Sequence, residues 1–351
     1  MQNSTPSSAN PASNESSPHK VGGPGFIKRL VTKKEFGIFM LLVVLCVITG
    51  LKNSAFFSEA NLSNTSNLIG LFGIFSIGAG LIIITGGIDL SVGSMIALNG
   101  MLLVLALTEW HWPWPLGVAF ALAVPMLLGL AHGVLITRFK MQPFIVTLCG
   151  LLLYRGAARF IASDTTKGFG NAAGFQGLQR WANGNLWGVP MPFVILVIIS
   201  IIMWIVLHRS VYGRYLLAVG RNEEATRFSG VNTRLVIASS YVLGGLLTGI
   251  SGILFAFYTN SVSPSTQGNF YELYGIAAAV LGGCSLRGGE GSIIGILIGT
   301  TLLLVLQNLV NLLNIPSSLN FAVMGAVVLV GVLADQILKS RSAKKTVRQP
   351  K

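Results

Sequence analysis

Apolar stretches recur along this chain from Phe36 to Leu333, separated by connections too short to fold on their own. A helix needs about 20 residues to cross about 30 Å of hydrocarbon, and in lipid every backbone amide and carbonyl must be paired within the segment. The pattern therefore predicts an all-α, polytopic integral membrane protein. Composition agrees, because 52% of residues are hydrophobic and only 10% are charged, too apolar a balance for an ordinary soluble surface. The expected spans are 36–50, 67–85, 90–107, 115–136, 143–162, 192–208, 235–257, 272–286, 292–313 and 319–334, about ten transmembrane helices in one membrane domain over 36–335. Residues 67–107 are too long for one crossing and read as a hairpin turning at Thr85–Leu90. Leu273–Leu286 would cover only about 21 Å as a helix and reads as a short or broken crossing.

Outside this domain, residues 1–25 are rich in Ser, Asn, Pro and Gly and read as a disordered cytoplasmic tail, too polar for a cleaved signal peptide. Residues 26–35 place Phe26, Ile27, Leu30 and Val31 on one helical face and cations beside it, as in an interfacial helix; simple topogenic charge is the other reading. Residues 336–351 form a basic cytoplasmic tail. The net charge of +13 raises the question of nucleic acid. With both termini inside, however, 19 Lys and Arg fall on inner segments, and only Lys52, Arg155, Arg159, Lys167 and Arg180 fall outside. The positive-inside rule thus explains the charge and predicts an N-in/C-in topology with no nucleic-acid partner. Trp110, Trp112, Trp114, Trp181 and Trp187 gather at the ends placed outside, as an interfacial belt or as stacking surfaces. Cys46, Cys149 and Cys284 lack metal-ligand spacing, so no metal site is expected.

Two related glycine-rich punctuations interrupt apolar runs: Gly86-Gly87-Ile-Asp89-Leu-Ser91-Val-Gly93-Ser94 and Gly282-Gly283-Cys-Ser285-Leu-Arg287-Gly288-Gly289-Glu290-Gly291-Ser292. Non-helical backbone at membrane depth must be covered by protein or face water, so Gly86, Gly87, Asp89 and Ser91 are candidates for a path or gate. Asp89 is flanked by apolar spans on both sides; Asp89 or Ser91 can also cap the following helix. Gly245, Gly249 and Gly252, and separately Gly291, Gly295 and Gly299, share helix faces and predict close helix packing. Further path candidates are Asn67, Phe72, Ser76, Asn99, Tyr154, Gln307, Asn308 and Asn311, amide, hydroxyl and aromatic groups suited to a small polar solute or to interhelical hydrogen bonds. Loop 209–234 carries a short helix signal: Asn222 as cap, Glu223 paired to Arg227 at i,i+4, and Gly230 as stop.

The segments Thr85–Ala97, Ala218–Asn232 (AVGRNEEATRFSGVN) and Tyr271–Gly299 resemble the permeases of bacterial ABC importers for monosaccharides, of the ribose, xylose and arabinose type, and the likeness runs from about Phe36 to Asp335. The resemblance implies a multi-pass protein of the bacterial inner membrane that translocates a sugar by alternating access. It implies that Gly220, Arg221, Asn222, Glu223, Ala225, Arg227 and Gly230 dock on a separate cytoplasmic ATPase. It further implies a second permease copy or homologue sharing one path, and a periplasmic sugar-binding protein. The chain has no G-x-x-x-x-G-K-[ST] loop, so ATP and magnesium would belong to the partner ATPase, and no enzyme motif accompanies His19, His111, His132 and His208, which read as tail, loop and membrane-edge residues. The competing expectation is an ion-driven secondary transporter or channel, for which Asp89 is the one ionisable candidate in the path.

Overall fold

The structure, a computed structural model, describes residues 34–170 and 173–316 and isolated positions between Leu319 and Leu333. The expected tails at 1–25 and 336–351, most of segment 26–35 and more than half of span 319–334 lie outside the described residues.

Twelve α-helices follow in order among the described residues: α1 (Lys34–Lys52), α2 (Glu59–Ile84), α3 (Val92–Thr108), α4 (Trp114–Arg138), α5 (Pro143–Ile161), α6 (Gln176–Ala182), α7 (Met191–His208), α8 (Val211–Arg221), α9 (Glu223–Phe228), α10 (Thr233–Thr259), α11 (Tyr271–Leu281) and α12 (Ile293–Leu312). Six of them, α2, α4, α5, α7, α10 and α12, are long and apolar enough to cross a membrane; α1, α3 and α11 are shorter apolar helices. Two short strand pairs, Lys167–Gly168 with Ser261–Val262 and Asn185–Leu186 with Val189–Pro190, tie loops at one end.

Most boundaries fall within two residues of expectation, with two exceptions, the start of α2 and the end of α11. Helix α2 begins at Glu59 rather than at 67, because the Ser58 hydroxyl accepts the Asn61 N–H and caps a polar first turn that hydropathy could not register. Prolines open α4, α5 and α7, where a missing N–H costs nothing.

Helix α2 is the central element. From Ile69 to Ile84 it is buried all round, whereas α4, α5 and α7 bury one side and leave rows such as Leu127, Leu152, Leu153, Ile201 and Ile202 exposed. Apolar side chains exposed on that scale belong against lipid tails. The expected glycine seams do pack: a Cβ on Gly245 would collide with the Pro125 carbonyl of α4, one on Gly252 would stand 2.8 Å from the Asn99 amide of α3, and one on Gly295 would collide with the Gly282 carbonyl.

Helix α11 departs from the expected span 272–286. Its 11 residues rise about 16 Å, half the hydrocarbon thickness. Its start at Tyr271 lies beside Phe72 and Phe75, well along α2, and its end at Leu281–Gly282 lies against Gly295 of α12. The other half of this lane holds turns, from the strand at Ser261–Val262 to Phe270, itself in left-handed backbone at φ +67°.

Candidate functional site

Three segments far apart in sequence meet at one end of the molecule. The Gly289 N–H donates to the Ile84 carbonyl at the end of α2, 2.8 Å away. Gly220, in the last turn of α8, fits against the same place: a Cβ there would collide with the Ile84 carbonyl and the Gly289 nitrogen. On Gly288, at φ +82°, a Cβ would come within 2.7 Å of the Gly220 carbonyl and 2.9 Å of the Gly86 nitrogen. Both glycine-rich breaks thus converge on the segment that starts with Gly220 and Arg221. Every group pressed on Gly220 is backbone and cannot swing aside, so only glycines permit the junction.

From this junction the chain runs out into α9. Asn222 caps it as expected, its side chain accepting the Ala225 N–H at 2.8 Å, and Gly230 ends it at φ +84°. The expected Glu223–Arg227 pair does not form. Glu223 Oε1 accepts the Thr233 hydroxyl at 3.1 Å, and the Arg227 guanidinium lies 5.6 Å from the Phe228 ring centre. An exposed i,i+4 pair is worth only a few tenths of a kcal/mol, so a buried-side partner competes easily. Glu224, Ala225 and Arg227 are exposed, and Phe228 is 78% exposed, a protruding tip. The helix before it, α8, went unrecognised in the sequence, since its apolar residues Leu216 and Val219 are interleaved with Arg and Gly; Ser210 caps it by accepting the Gly213 N–H.

The first break leads from the junction into the membrane core. Asp89 is 6% exposed, and its Oδ1 accepts both the Ser91 N–H at 2.8 Å and the Ser91 hydroxyl at 2.6 Å. Ser91 stands at the N-cap of α3 without a side-chain cap bond, so of the two expected caps Asp89 alone binds a backbone amide. Thr147 of α5 donates to the Ile88 carbonyl at 3.2 Å. His132, expected at a membrane edge, is instead 2% exposed in the interior, with Nε2 2.7 Å from the Tyr154 hydroxyl. Asp89 lies within electrostatic reach of His132, Tyr154, Tyr241 and Glu272. His132 Nδ1 and the Tyr241 hydroxyl are buried with no hydrogen-bond partner among the described residues. Gly93 and Gly268 touch, so the starts of α3 and α11 meet here, with Glu272 beside Gly93.

The remaining expected path residues separate into two groups. Asn99 is spent on packing, donating to the Gly249 carbonyl at 2.9 Å, and the Ser76 hydroxyl returns to the Phe72 carbonyl within α2. Tyr154 belongs to the interior cluster. Phe72 lies midway along α2, and Asn308 lies toward the far end of α12, where it exchanges hydrogen bonds with Asn61 at 2.7 and 3.2 Å. Asn67 Oδ1 is buried without a hydrogen-bond partner among the described residues, Gln307 is half-buried and Asn311 is exposed. Sequence reasoning missed Tyr271 and Tyr274, whose rings pack 4.7 and 5.3 Å from Phe72; an i,i+3 tyrosine pair opposite an i,i+3 phenylalanine pair was the available signal.

Comparison with known proteins adds the family. The model of the branched-chain amino acid transport system / permease component family matches residues 61–332. The ribose import permease protein of Escherichia coli strain K12 is 37% identical over 90% of this chain and 97% of its own. That of Bacillus subtilis is 36% identical over 86% and 93%, and the fructose import permease protein of Bifidobacterium longum 32% identical over 89% and 90%. No solved structure matches. The chain belongs to the branched-chain amino acid transport system / permease component family.

Proposed function

We propose that this chain is the inner-membrane permease subunit of an ATP-binding cassette importer and carries a monosaccharide across the membrane by alternating access, driven by a separate ATPase subunit. The observation that carries this reading is the glycine junction. A protruding segment, Asn222–Gly230, is continuous with Gly220 and Arg221, and these press on the ends of both membrane breaks. A push on that segment from outside the membrane reaches Ile84 and Gly289, at the edges of the two breaks, through the backbone groups that close on Gly220. Ribose and fructose in the names of relatives at 32–37% identity favour a sugar over the amino acid in the family's description. In this scheme Gly220, Arg221, Asn222, Glu223, Ala225, Arg227 and Gly230 form the docking segment, ATP and magnesium belong to the ATPase, a second permease shares the path, and a sugar-binding protein feeds it from the opposite face.

The test is to change exposed residues of the tip alone. Arg227→Ala combined with Phe228→Asp leaves every described packing contact of the core in place, since both side chains are exposed. The variant is expected to insert normally, to lose copurification of the ATPase and to abolish sugar uptake. Undiminished uptake by an assembled complex of this variant rejects the docking assignment.

A further inference from the structure

Helix α7 has two unlike faces. Pro192, Leu196, Ser200, Met203 and Leu207 are buried, and Pro192 and Leu196 stand against Gly70 and Gly73 of α2. Ile198, Ile201, Ile202 and Ile205, at i, i+3, i+4 and i+7, are 50–56% exposed and form a row that faces lipid. The helix has 18 residues and rises about 27 Å, so its ends lie at the two hydrocarbon boundaries. The row continues one turn further to Arg209, which is exposed and whose N–H still bonds to the Ile205 carbonyl at 2.9 Å. The Arg209 guanidinium turns back along the helix and lies 5.3 Å from the centre of the half-buried Trp204 ring. Side chains on a helix lean toward its N-terminus, which for α7 is the opposite end, so this pair holds a cation at the level of the headgroups. Helix α8 supplies a second cation through a rigid corner. The Ser210 hydroxyl donates to the Val206 carbonyl at 2.6 Å and accepts the Gly213 N–H at 3.1 Å, and a Cβ on Gly213 would collide with the Leu207 carbonyl. The first turn of α8 thus starts against the end of α7 and exposes Val211, Arg214 and Tyr215 on one face. No Asp or Glu occurs between Asp164 and Glu223. Among the described residues the ion pairs are Arg159 with Asp164 and Lys167 with Glu109, so acids neutralise neither Arg209 nor Arg214 there.

We propose that the corner between α7 and α8 is a binding site for an anionic glycerophospholipid, with its phosphate held by Arg209 and Arg214, its glycerol region beside the Trp204 indole and its acyl chains along the Ile198–Ile205 row. Guanidinium forks match phosphate oxygens in geometry as well as charge. A lipid needs an apolar wall for its tails and cations for its head, and this row runs from one to the other without interruption. A peripheral protein reaches Arg214 but not the level of Ile201 and Ile205, which favours lipid as the occupant. A headgroup held here braces the first turn of α8, whose last turn carries Gly220. The site is independent of what the permease carries.

The experiment places the full-length permease in nanodiscs of phosphatidylcholine with graded phosphatidylglycerol, one lipid or the other carrying brominated acyl chains, and reads tryptophan quenching. Trp204 is the one tryptophan at this end of the molecule, so subtracting the signal of a Trp204→Phe protein from the parent's isolates it. Each cation near a membrane surface is worth about fivefold in anionic-lipid binding, so phosphatidylglycerol is expected to occupy the Trp204 site about 25-fold better than phosphatidylcholine. Arg209→Gln with Arg214→Gln is expected to bring that ratio to about one. Arg209→Lys with Arg214→Lys is expected to keep a ratio of about five, since the charge stays and the fork goes. A ratio of one in the parent protein removes the site, and this measurement needs no variant that must fold. A ratio unchanged by the glutamine pair overturns the assignment to these residues. Inorganic phosphate at matched ionic strength is expected to leave the parent's ratio unchanged; erasure of the ratio would make the occupant a free anion and not a lipid. Loss of ATPase copurification from the glutamine pair with the lipid ratio intact would give the corner to that subunit instead.

Discussion

At Gly220 a hydrogen atom stands where an alanine would carry a methyl. The Ile84 carbonyl and the Gly289 amide close on it from two other segments, and Gly289 in turn packs against Arg221. Gly220→Ala leaves no side-chain escape, so either α8 or both breaks must move; overpacking of this kind costs about 1–3 kcal/mol, roughly tenfold in an equilibrium for each 1.4 kcal/mol. Gly220→Ala is therefore expected to cut sugar uptake by about tenfold or more while the ATPase still binds the intact Asn222–Gly230 tip and hydrolyses ATP. Gly230→Ala is the control. It has left-handed backbone at φ +84° but no atom within 4 Å of an added Cβ, so it carries only a backbone penalty of about 1–2 kcal/mol at an exposed turn. Equal uptake by Gly220→Ala and the parent protein would show that the junction transmits nothing. The sequence alone made Gly220 legible as part of a motif. Its partners were not legible, because closeness of Gly220, Ile84 and Gly289 depends on how α2, α8 and α12 pack, which local patterning does not encode.

Among elements, α11 is the one whose meaning changed. Hydropathy marked 272–286 as doubtful because it was too short, and the cause is a helix that starts partway across and leaves its first half as turns. What holds those turns is Arg155 of α5, which donates to the Pro264 carbonyl at 3.0 Å and the Gln267 carbonyl at 2.7 Å. The positive-inside count treated Arg155 as an outer-side charge. Its role as a clamp on a segment more than a hundred residues away was invisible there. A guanidinium can reach two carbonyls at fixed angles, whereas an ammonium offers the same charge without the fork. Hydrogen bonds to a charged donor stabilise by about 1.5–3 kcal/mol each. Thermal unfolding in detergent is thus expected to rank the parent above Arg155→Lys and Arg155→Gln lowest, with uptake falling in the same order. Coincident melting of all three proteins would remove Arg155 from this role. Long, strongly apolar helices such as α7 and α12 were readable almost to the residue, because lipid imposes a single demand on them. Helices α8 and α11 were not, since protein contacts rather than lipid decide where they begin and end.

For the whole molecule, the two ends are distinct in chemistry, and this orients it. One end gathers α8, α9 and both glycine breaks, with Arg209, Arg214, Arg221, Arg227, Arg234 and Arg287. The other holds Trp110, Trp112, Trp181 and Trp187, the strand pairs, and arginine and lysine balanced by acids: Arg159 with Asp164 at 2.6 Å and Lys167 with Glu109 at 2.7 Å. Lys and Arg in short loops are retained on the cytoplasmic side during insertion, and the end with α8 and α9 carries more of them. The orientation we propose on this ground has the Phe228 tip in the cytoplasm and the Trp187 turn outside, as the ATPase-docking scheme requires. Each carries a large, exposed side chain, 78% for Phe228 and 96% for Trp187, so a cysteine at either position is reachable without disturbing the fold. In intact cells with the outer membrane made permeable, a membrane-impermeant maleimide is expected to label Trp187→Cys and to leave Phe228→Cys untouched. Phe228→Cys should react only in inverted vesicles stripped of peripheral subunits. The opposite pattern would put the glycine junction on the outer face, out of reach of any cytoplasmic motor, and would fell the coupling scheme even though the helices and the family stand.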